Sequence, residues 1–497
     1  MTDSLAEWPQ IIQGGMGIAV SDYRLARATA ELGCLGLVSG TGIDTVMVRR
    51  LALGDPNGDL RRIFERFPWP RVASRVLDRY FIRGGKQRSE PFKLLPLPNA
   101  HMSAERLELI VLANFAEVAL AKERGGRVGI NFLEKIQTPI LPSLLGALLA
   151  GADAIFVGAG IPTAIPQAMR RLCRWEAAEL RLAVEGARPD EAPTLKLDPS
   201  ALFGPAPFPI ELPKFFAIVS SHVLAKVLHK KTNGAIDAFV VEDHRAGGHN
   251  APPRRVPGRA QPQFGPLDEP DLAEMRALAV PFWVAGCRAA PASLEQALRD
   301  GARGIQIGTA FAFCDESGID AELKRDVLKH ARERRLRVVT DFEASPTGYP
   351  FKRVEREGSP NELAALRSRE RICDLGYLRR AVVTAEGTLV YRCPGEPVET
   401  YLAKGGEQAD TVNKLCLCNQ LFATIGLGQS RSGGDELPLL TAGYDLTEIA
   451  AFLPQGSTRY SARDVLAFVT GIASAPAQED RHHSLYDRAG RARLRTR

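Results

Sequence analysis

Ala238-Phe239-Val240-Val241-Glu242-Asp243-His244-Arg245-Ala246-Gly247-Gly248-His249-Asn250 is the stretch on which the reading of this chain turns. A short apolar run, rich in aromatic and β-branched residues, ends in an acidic residue. A Gly-Gly pair and a histidine follow. The run predicts a strand, and the glycines predict a loop at its carboxyl end. Similar runs recur along the chain, ending in Gly or Ser and followed by helical patterns. In order, they cover 10–13, 35–39, 127–132, 154–157, 215–219, 238–242, 282–285 and 304–307. Helical patterns cover 23–32, 142–150, 165–180, 221–229, 293–300 and 321–335. Eight strand–helix units over about 330 residues predict a TIM (β/α)8 barrel.

Two stretches interrupt the rhythm. Residues 43–100 are basic, aromatic and Pro-rich, with Phe67-Pro68-Trp69-Pro70 and Leu94-Leu95-Pro96-Leu97-Pro98. Insertions after barrel strands tend to roof an active site, so this segment is the expected roof. Residues 186–213 hold seven prolines and read as a long loop ahead of the fifth strand, a candidate cover for the outer or lower surface. The expected division is a barrel over 1–340 with these insertions, a C-terminal extension over 341–475 packed on it, and a basic tail over 476–497.

The 497 residues are 45% hydrophobic and 25% charged, the balance of an ordinary globular protein. The net charge of +6 is concentrated at the end, where six arginines (Arg481, Arg488, Arg491, Arg493, Arg495, Arg497) face only Asp487. A solvated tail explains that charge, and nucleic acid is not an expected partner. No apolar run approaches the ~20 residues of a membrane span, and the N-terminus has no signal core. The cytoplasm is the expected compartment. Eight cysteines in such a length do not suggest a disulfide framework. Cys373, Cys393, Cys416 and Cys418 lack paired C-x2-C spacing, so buried free thiols are expected and no metal is assigned.

Three elements carry chemistry. Gln13-Gly14-Gly15-Met16-Gly17 follows the first strand, and its glycines let backbone approach a flat ligand. It fails as a dinucleotide fingerprint because Val20 stands where the third glycine belongs. His249, after Gly247-Gly248, lies where barrel enzymes keep catalytic groups, and imidazole moves protons near neutrality. His244 is open between a structural and a gating role. Gly286, after the seventh strand, and Gly308-Thr309, after the eighth, offer backbone N–H groups to an anion at the barrel's usual phosphate site. Arg288 either adds charge there or faces solvent.

Together these elements resemble the nitronate monooxygenases and the related FMN-dependent enoyl-ACP reductases, over roughly residues 9–350. The resemblance implies an FMN-dependent oxidoreductase, with Gln13, Gly14, Gly15 and Met16 along one edge of the flavin and Asn131 contacting it. It assigns Glu242, Gly247, Gly248, Gly286, Gln306, Gly308 and Thr309 to flavin and phosphate, and His249 to catalysis. Arg245 replaces the family's glutamate, Glu242 stands where a glutamine often contacts flavin, and Cys287-Arg288 replaces Gly-Ile. The implied reaction converts an alkyl nitronate and O2 to a carbonyl compound and nitrite.

Two alternatives stand beside it. One is an NAD(P)H-dependent FMN reductase acting on an enoyl thioester or a quinone, in one form docking an acyl carrier protein of a polyketide or fatty-acid synthase. The other is a flavin-free phosphate-binding barrel, which lacks a Schiff-base lysine at a strand end because Lys214 precedes its strand.

Overall fold

The structure is a computed structural model, and it describes residues 5–188, 191–255, 262–357 and 362–472. The basic tail over 476–497 lies outside them.

Eight strands form one closed barrel: β1 (Ile11–Gln13), β2 (Leu35–Ser39), β3 (Arg127–Leu133), β4 (Ala154–Gly158), β5 (Lys214–Val219), β6 (Ala238–Glu242), β7 (Phe282–Ala285) and β8 (Gly304–Ile307). Each pairs in parallel with its neighbours in sequence, and β1 closes the ring on β8. All eight predicted strands are present. The helices that follow them in turn are α1 (Tyr23–Glu31), α2 (Ala104–Lys122), α3 (Ile140–Leu149), α4 (Ile165–Cys173), α5 (His222–Lys231), α6 (Leu272–Ala277), α7 (Ser293–Arg299) and α8 (Ala321–Arg332).

The pleat sorts side chains two by two. Ile12, Leu35, Leu37, Ala154, Phe156, Phe216, Ala238, Val240, Trp283 and Ala285 fill the lower barrel as one cluster. Phe156 stacks on Phe216 at 4.3 Å, and Trp8 covers Phe216 from below at 5.6 Å. The Trp283 indole donates to the Pro9 carbonyl at 3.1 Å, closing that end. Burying each large ring stabilises the barrel by about 2–3 kcal/mol. The interior is therefore a packed floor, and space opens only at the C-terminal mouth.

The insertions differ from their sequence reading. Residues 43–100 carry three helices, Ile43–Ala52, Asp59–Phe64 and Pro70–Tyr80. Phe67 packs edge-on against Phe115 of α2 at 5.1 Å, and Trp69 stacks on Phe203 at 4.1 Å. Buried ion pairs join Arg106 of α2 to Asp44, and Arg50 to Asp22 and Glu117. This aromatic and ionic burial holds the insertion on the outer wall, so it does not become the roof. The helix predicted over 165–180 ends at Cys173, where Trp175 takes φ +60°. Ala178–Arg181 then pairs with Thr194–Leu197 in a hairpin. The long helix α2 was not among the predicted ones. Fifteen of its nineteen residues are buried, so it carries little of the amphipathic signal that marks a surface helix.

From β9 (Leu336–Asp341) onward the chain climbs over the mouth. β9 and β10 (Phe351–Arg356) form an antiparallel hairpin, and the loop after β6 adds to its edge. The Lys352 amide donates to the Gly248 carbonyl at 2.9 Å, and the Asn250 amide to Pro350 at 3.0 Å. Those bonds fix the backbone on both sides of His249.

Candidate active site

A cavity of about 630 Å³ occupies the mouth. Gly14, Gly15, Met16, Asn131, Glu242, Gly247, Gly248, His249, Gly286, Gln306, Gly308 and Thr309 all line it. The strand pleat explains the gathering, because Asn131, Glu242 and Gln306 continue the inward-facing rows above Gly129, Val240 and Gly304.

Gln13 is the exception, because its side chain points outward toward α1. Its amide nitrogen donates to Ser21 Oγ at 2.9 Å and to the Leu37 carbonyl at 3.3 Å. Its oxygen accepts from the Leu37 amide at 3.2 Å and from the Thr29 hydroxyl at 3.3 Å. Ile12, one residue earlier, faces inward, so the pleat sends Gln13 out.

The floor is shaped for close approach. A Cβ on Gly15 would land on Asn131 Oδ1, and one on Gly14 would stand 3.3 Å from Gln306 Cγ. Asn131 Oδ1 and Gln306 Oε1 are buried without any hydrogen-bond partner. An unpartnered buried polar atom costs about 1–3 kcal/mol, so two on one cavity floor mark a place for a polar ligand.

His249 is held from two sides. Its Nε2 lies 2.7 Å from Ser345 Oγ, and its ring meets Phe351 edge-on at 4.9 Å. Burial, with the Lys135 charge nearby, pushes its pKa down to about 3, so the imidazole is neutral in ordinary buffers. Lys135 also lines the cavity; burial and Arg380 bring its pKa down to about 8. Glu242 is driven the other way, to about 7, by burial and then by the neighbouring Asp243. His244 stacks on Phe264 at 4.6 Å along the same wall.

The expected phosphate end is more acidic than its glycines suggest. Gly286, at φ +98°, is required because a Cβ would strike the Asp243 carboxylate. Arg288 does not line the cavity; it turns to Asp243 at 3.4 Å, which Arg245 also clamps. The Thr309 hydroxyl accepts from the Gly443 amide at 2.9 Å. Asp445, from the extension, lines this end, with its pKa raised by burial.

Sequence reasoning missed Lys135, Ser345, Asp445 and Tyr349, whose ring lines the cavity 4.9 Å from the Lys135 ammonium. Lys135 was within reach, four residues past Asn131. The other three come from the extension, where no local motif marks them.

Residues 214–425 match the family model described as nitronate monooxygenase. Over that span, less than half of its length, the chain is similar to the nitronate monooxygenases. By that match it is an enzyme, an oxidoreductase. The motif resemblance covers roughly 9–350, whereas the matched span begins at β5 and runs into the extension. No curated protein matches the chain. Among solved structures it is similar to nitroalkane oxidase from Streptomyces ansochromogenes, at 18% identity over 93% of this chain and 94% of that one, with a TM-score of 0.43. It is also similar to the enoyl reductase domain of MlnA from Bacillus amyloliquefaciens (11%, covering 93% of each chain, TM-score 0.45). A third is FabK from Thermotoga maritima (17%, covering 70% of this chain and 71% of that one, TM-score 0.38). At these scores none of the three bears on substrate. Among the described residues no helix is long and apolar enough to cross a membrane.

Proposed function

We propose that this chain binds FMN across the barrel mouth and oxidises alkyl nitronates with O2, giving a carbonyl compound and nitrite. The observation that carries the reading is the pair of unpartnered amide oxygens, Asn131 Oδ1 and Gln306 Oε1, above a glycine floor that His249 overlooks. These residues fit a flat heterocycle with hydrogen-bonding edges. Gly286, Gly308 and Thr309 would take its phosphate, with Asp445 protonated or displaced.

When bound, FMN supplies the electron acceptor and the reaction with oxygen. The protein supplies position and charge. Lys135 gives the pocket a cation to draw in a nitronate. In the tautomer where Ser345 donates to Nε2, the His249 ring would carry its proton on Nδ1 and offer a donor to an anionic oxygen. An imidazole held at about 3 is a poor base, so His249 steadies an anion already formed better than it deprotonates a neutral nitroalkane.

The test begins with an absorbance spectrum of the purified protein and an anaerobic titration with a propyl nitronate and with NADPH. Bleaching of the flavin by the nitronate and not by NADPH is the expected result, with nitrite release and oxygen uptake once air is admitted. His249→Asn should keep the flavin and lose about 100-fold in nitronate turnover, the cost of one donor aimed at developing charge. Undiminished turnover would remove His249 from the mechanism.

A second reading is favoured by the apolar wall that Leu378, Leu417, Leu421 and Leu439 add to the cavity. A small nitronate leaves that wall bare, whereas an acyl chain would cover it. In this reading the protein is an NAD(P)H-dependent reductase of enoyl thioesters or quinones, with an acyl carrier protein as a docking partner. Rapid anaerobic bleaching by NADPH, without nitrite formation, would select it.

A further inference from the structure

At the end of the cavity where a phosphate is expected, the extension contributes a carboxylate. Asp445 lies in the first turn of the 3₁₀ helix Tyr444–Phe452 and lines the cavity beside Cys287, after β7, and Thr309, after β8. The segment that carries it is bolted to the mouth. The Gly443 amide donates to the Thr309 hydroxyl at 2.9 Å, and the Tyr444 amide to the Arg245 carbonyl at 3.1 Å. The Gly248 amide donates to the Thr441 hydroxyl at 2.8 Å. The backbones approach so closely that a Cβ on Gly247 would stand 2.7 Å from the Ala442 carbonyl carbon. One on Gly443 would stand 2.8 Å from Asp445 Oδ1. Asp445 is fixed in place, not free to swing out.

Its charge has no dedicated partner. Oδ1 is buried and accepts no hydrogen bond. Burial raises its pKa, the Thr309 hydroxyl, its own amide and the Cys287 thiol pull it back, and Asp243 raises it again. The other groups facing this end supply little compensation. Arg245 and Arg288 both turn to Asp243, at 2.5 Å and 3.4 Å. Lys352 Nζ donates to the His244 carbonyl and to Asn250 Oδ1, each at 2.7 Å. Burial keeps Cys287 and Tyr460 neutral, and the Tyr460 hydroxyl donates to the Ala310 carbonyl at 2.7 Å. None of those three cations lines the cavity. The two guanidinium groups answer the carboxylates of Asp243 and Asp445, and neither is left over for a phosphate.

We infer that Asp445 competes by charge with the cofactor's phosphate, so that this chain holds its flavin chiefly by the ring. The inference rests on the FMN reading and adds to it a residue that sets which form of flavin is preferred. A phosphate monoester carries about 1.5 to 2 negative charges at pH 7, and here it would meet a fixed carboxylate in a half-closed site. Backbone N–H groups of the loops after β7 and β8 would have to offset both. Riboflavin has the same ring and no phosphate, so it avoids the contact.

The test is equilibrium dialysis of the full-length protein, stripped of flavin, against FMN and against riboflavin at pH 6 and pH 8. In the parent at pH 8, FMN should bind less than about 100-fold tighter than riboflavin. Asp445→Asn should tighten FMN about 10-fold at pH 8 and leave riboflavin within about 2-fold. At pH 6 that gain should shrink, because a proton on Asp445 then removes the charge that the variant removes. The phosphate's own titration is common to both proteins and cancels in the comparison. If Asp445→Asn fails to fold, Asp445→Ser answers the same question, and the parent's preference decides if both fail. A parent preference for FMN above about 100-fold, or no gain in Asp445→Asn, would overturn the inference and leave the FMN reading standing. Binding of neither flavin to the parent would remove both.

Discussion

Gln13 and Gln306 lie on the two strands that close the barrel, one residue apart in register, with Ile12 opposite Gln306 and Gln13 opposite Ile307. The pleat sends them to opposite faces. Gln13, outside, has its amide spent on Ser21, Leu37 and Thr29. Gln306, inside, has an oxygen bonded to nothing. The same residue type on one seam is a structural bolt in one case and a proposed ligand contact in the other. What separates them is whether the protein itself satisfies the polar group. Residue identity alone could not have told them apart.

The largest effect should come from breaking the satisfied member. Gln13→Leu takes the partner from the Leu37 amide and carbonyl in a dry seam, each at about 1–3 kcal/mol, whereas the Thr29 hydroxyl keeps the Leu25 carbonyl at 2.9 Å. A loss of about 4 kcal/mol is expected in a urea titration. An unchanged midpoint would mean that water takes over those bonds and the contrast is false.

Gln306→Leu should do the reverse. Removing an acceptor that has no partner leaves stability within about 1 kcal/mol of the parent. Flavin affinity should fall about 10-fold, the worth of one good hydrogen bond. Equilibrium dialysis against FMN, beside the same urea titration, separates the two effects. Equal damage to both would show Gln306 to be structural as well.

The barrel was legible because each strand is a local event, an apolar run closed by Gly or Ser. The inward row at the mouth was legible for the same reason, since Glu242 ends such a run and Asn131 and Gln306 stand one residue before the end of theirs. The roof was not. Phe67-Pro68-Trp69-Pro70 reads as a lid from composition, yet its rings find Phe115 and Phe203 on the outer wall. The actual cover comes from residues whose partners are distant in sequence. Ser345 reaches His249 across 96 positions, and Asp445 meets the loop after β8 from still farther. The four late cysteines show no paired spacing because three separate segments bring them to one place. Spacing reports only what neighbours in sequence can build.

A further expected effect is a pH dependence, and it pits the open rim against the sealed one within two adjacent residues. Asp243 is clamped by Arg245 and Arg288, whereas Glu242 faces the cavity and is raised from 4.5 to about 7. Between those values the folded chain keeps a proton that the unfolded chain has released, so this group's contribution to stability declines as pH rises through that window. His249 runs oppositely. Its folded value of about 3 lies below the ordinary 6.5, so the unfolded chain takes up a proton that the folded chain refuses. Its contribution therefore falls as pH drops from 6.5 toward 3. Glu242→Gln should flatten the alkaline side of a stability profile, and His249→Asn the acid side. Urea midpoints collected from pH 4 to pH 8 would resolve both slopes. If Glu242→Gln left the alkaline slope intact, the carboxyl would have to be charged and solvated, and the mouth would be wetter than its walls indicate.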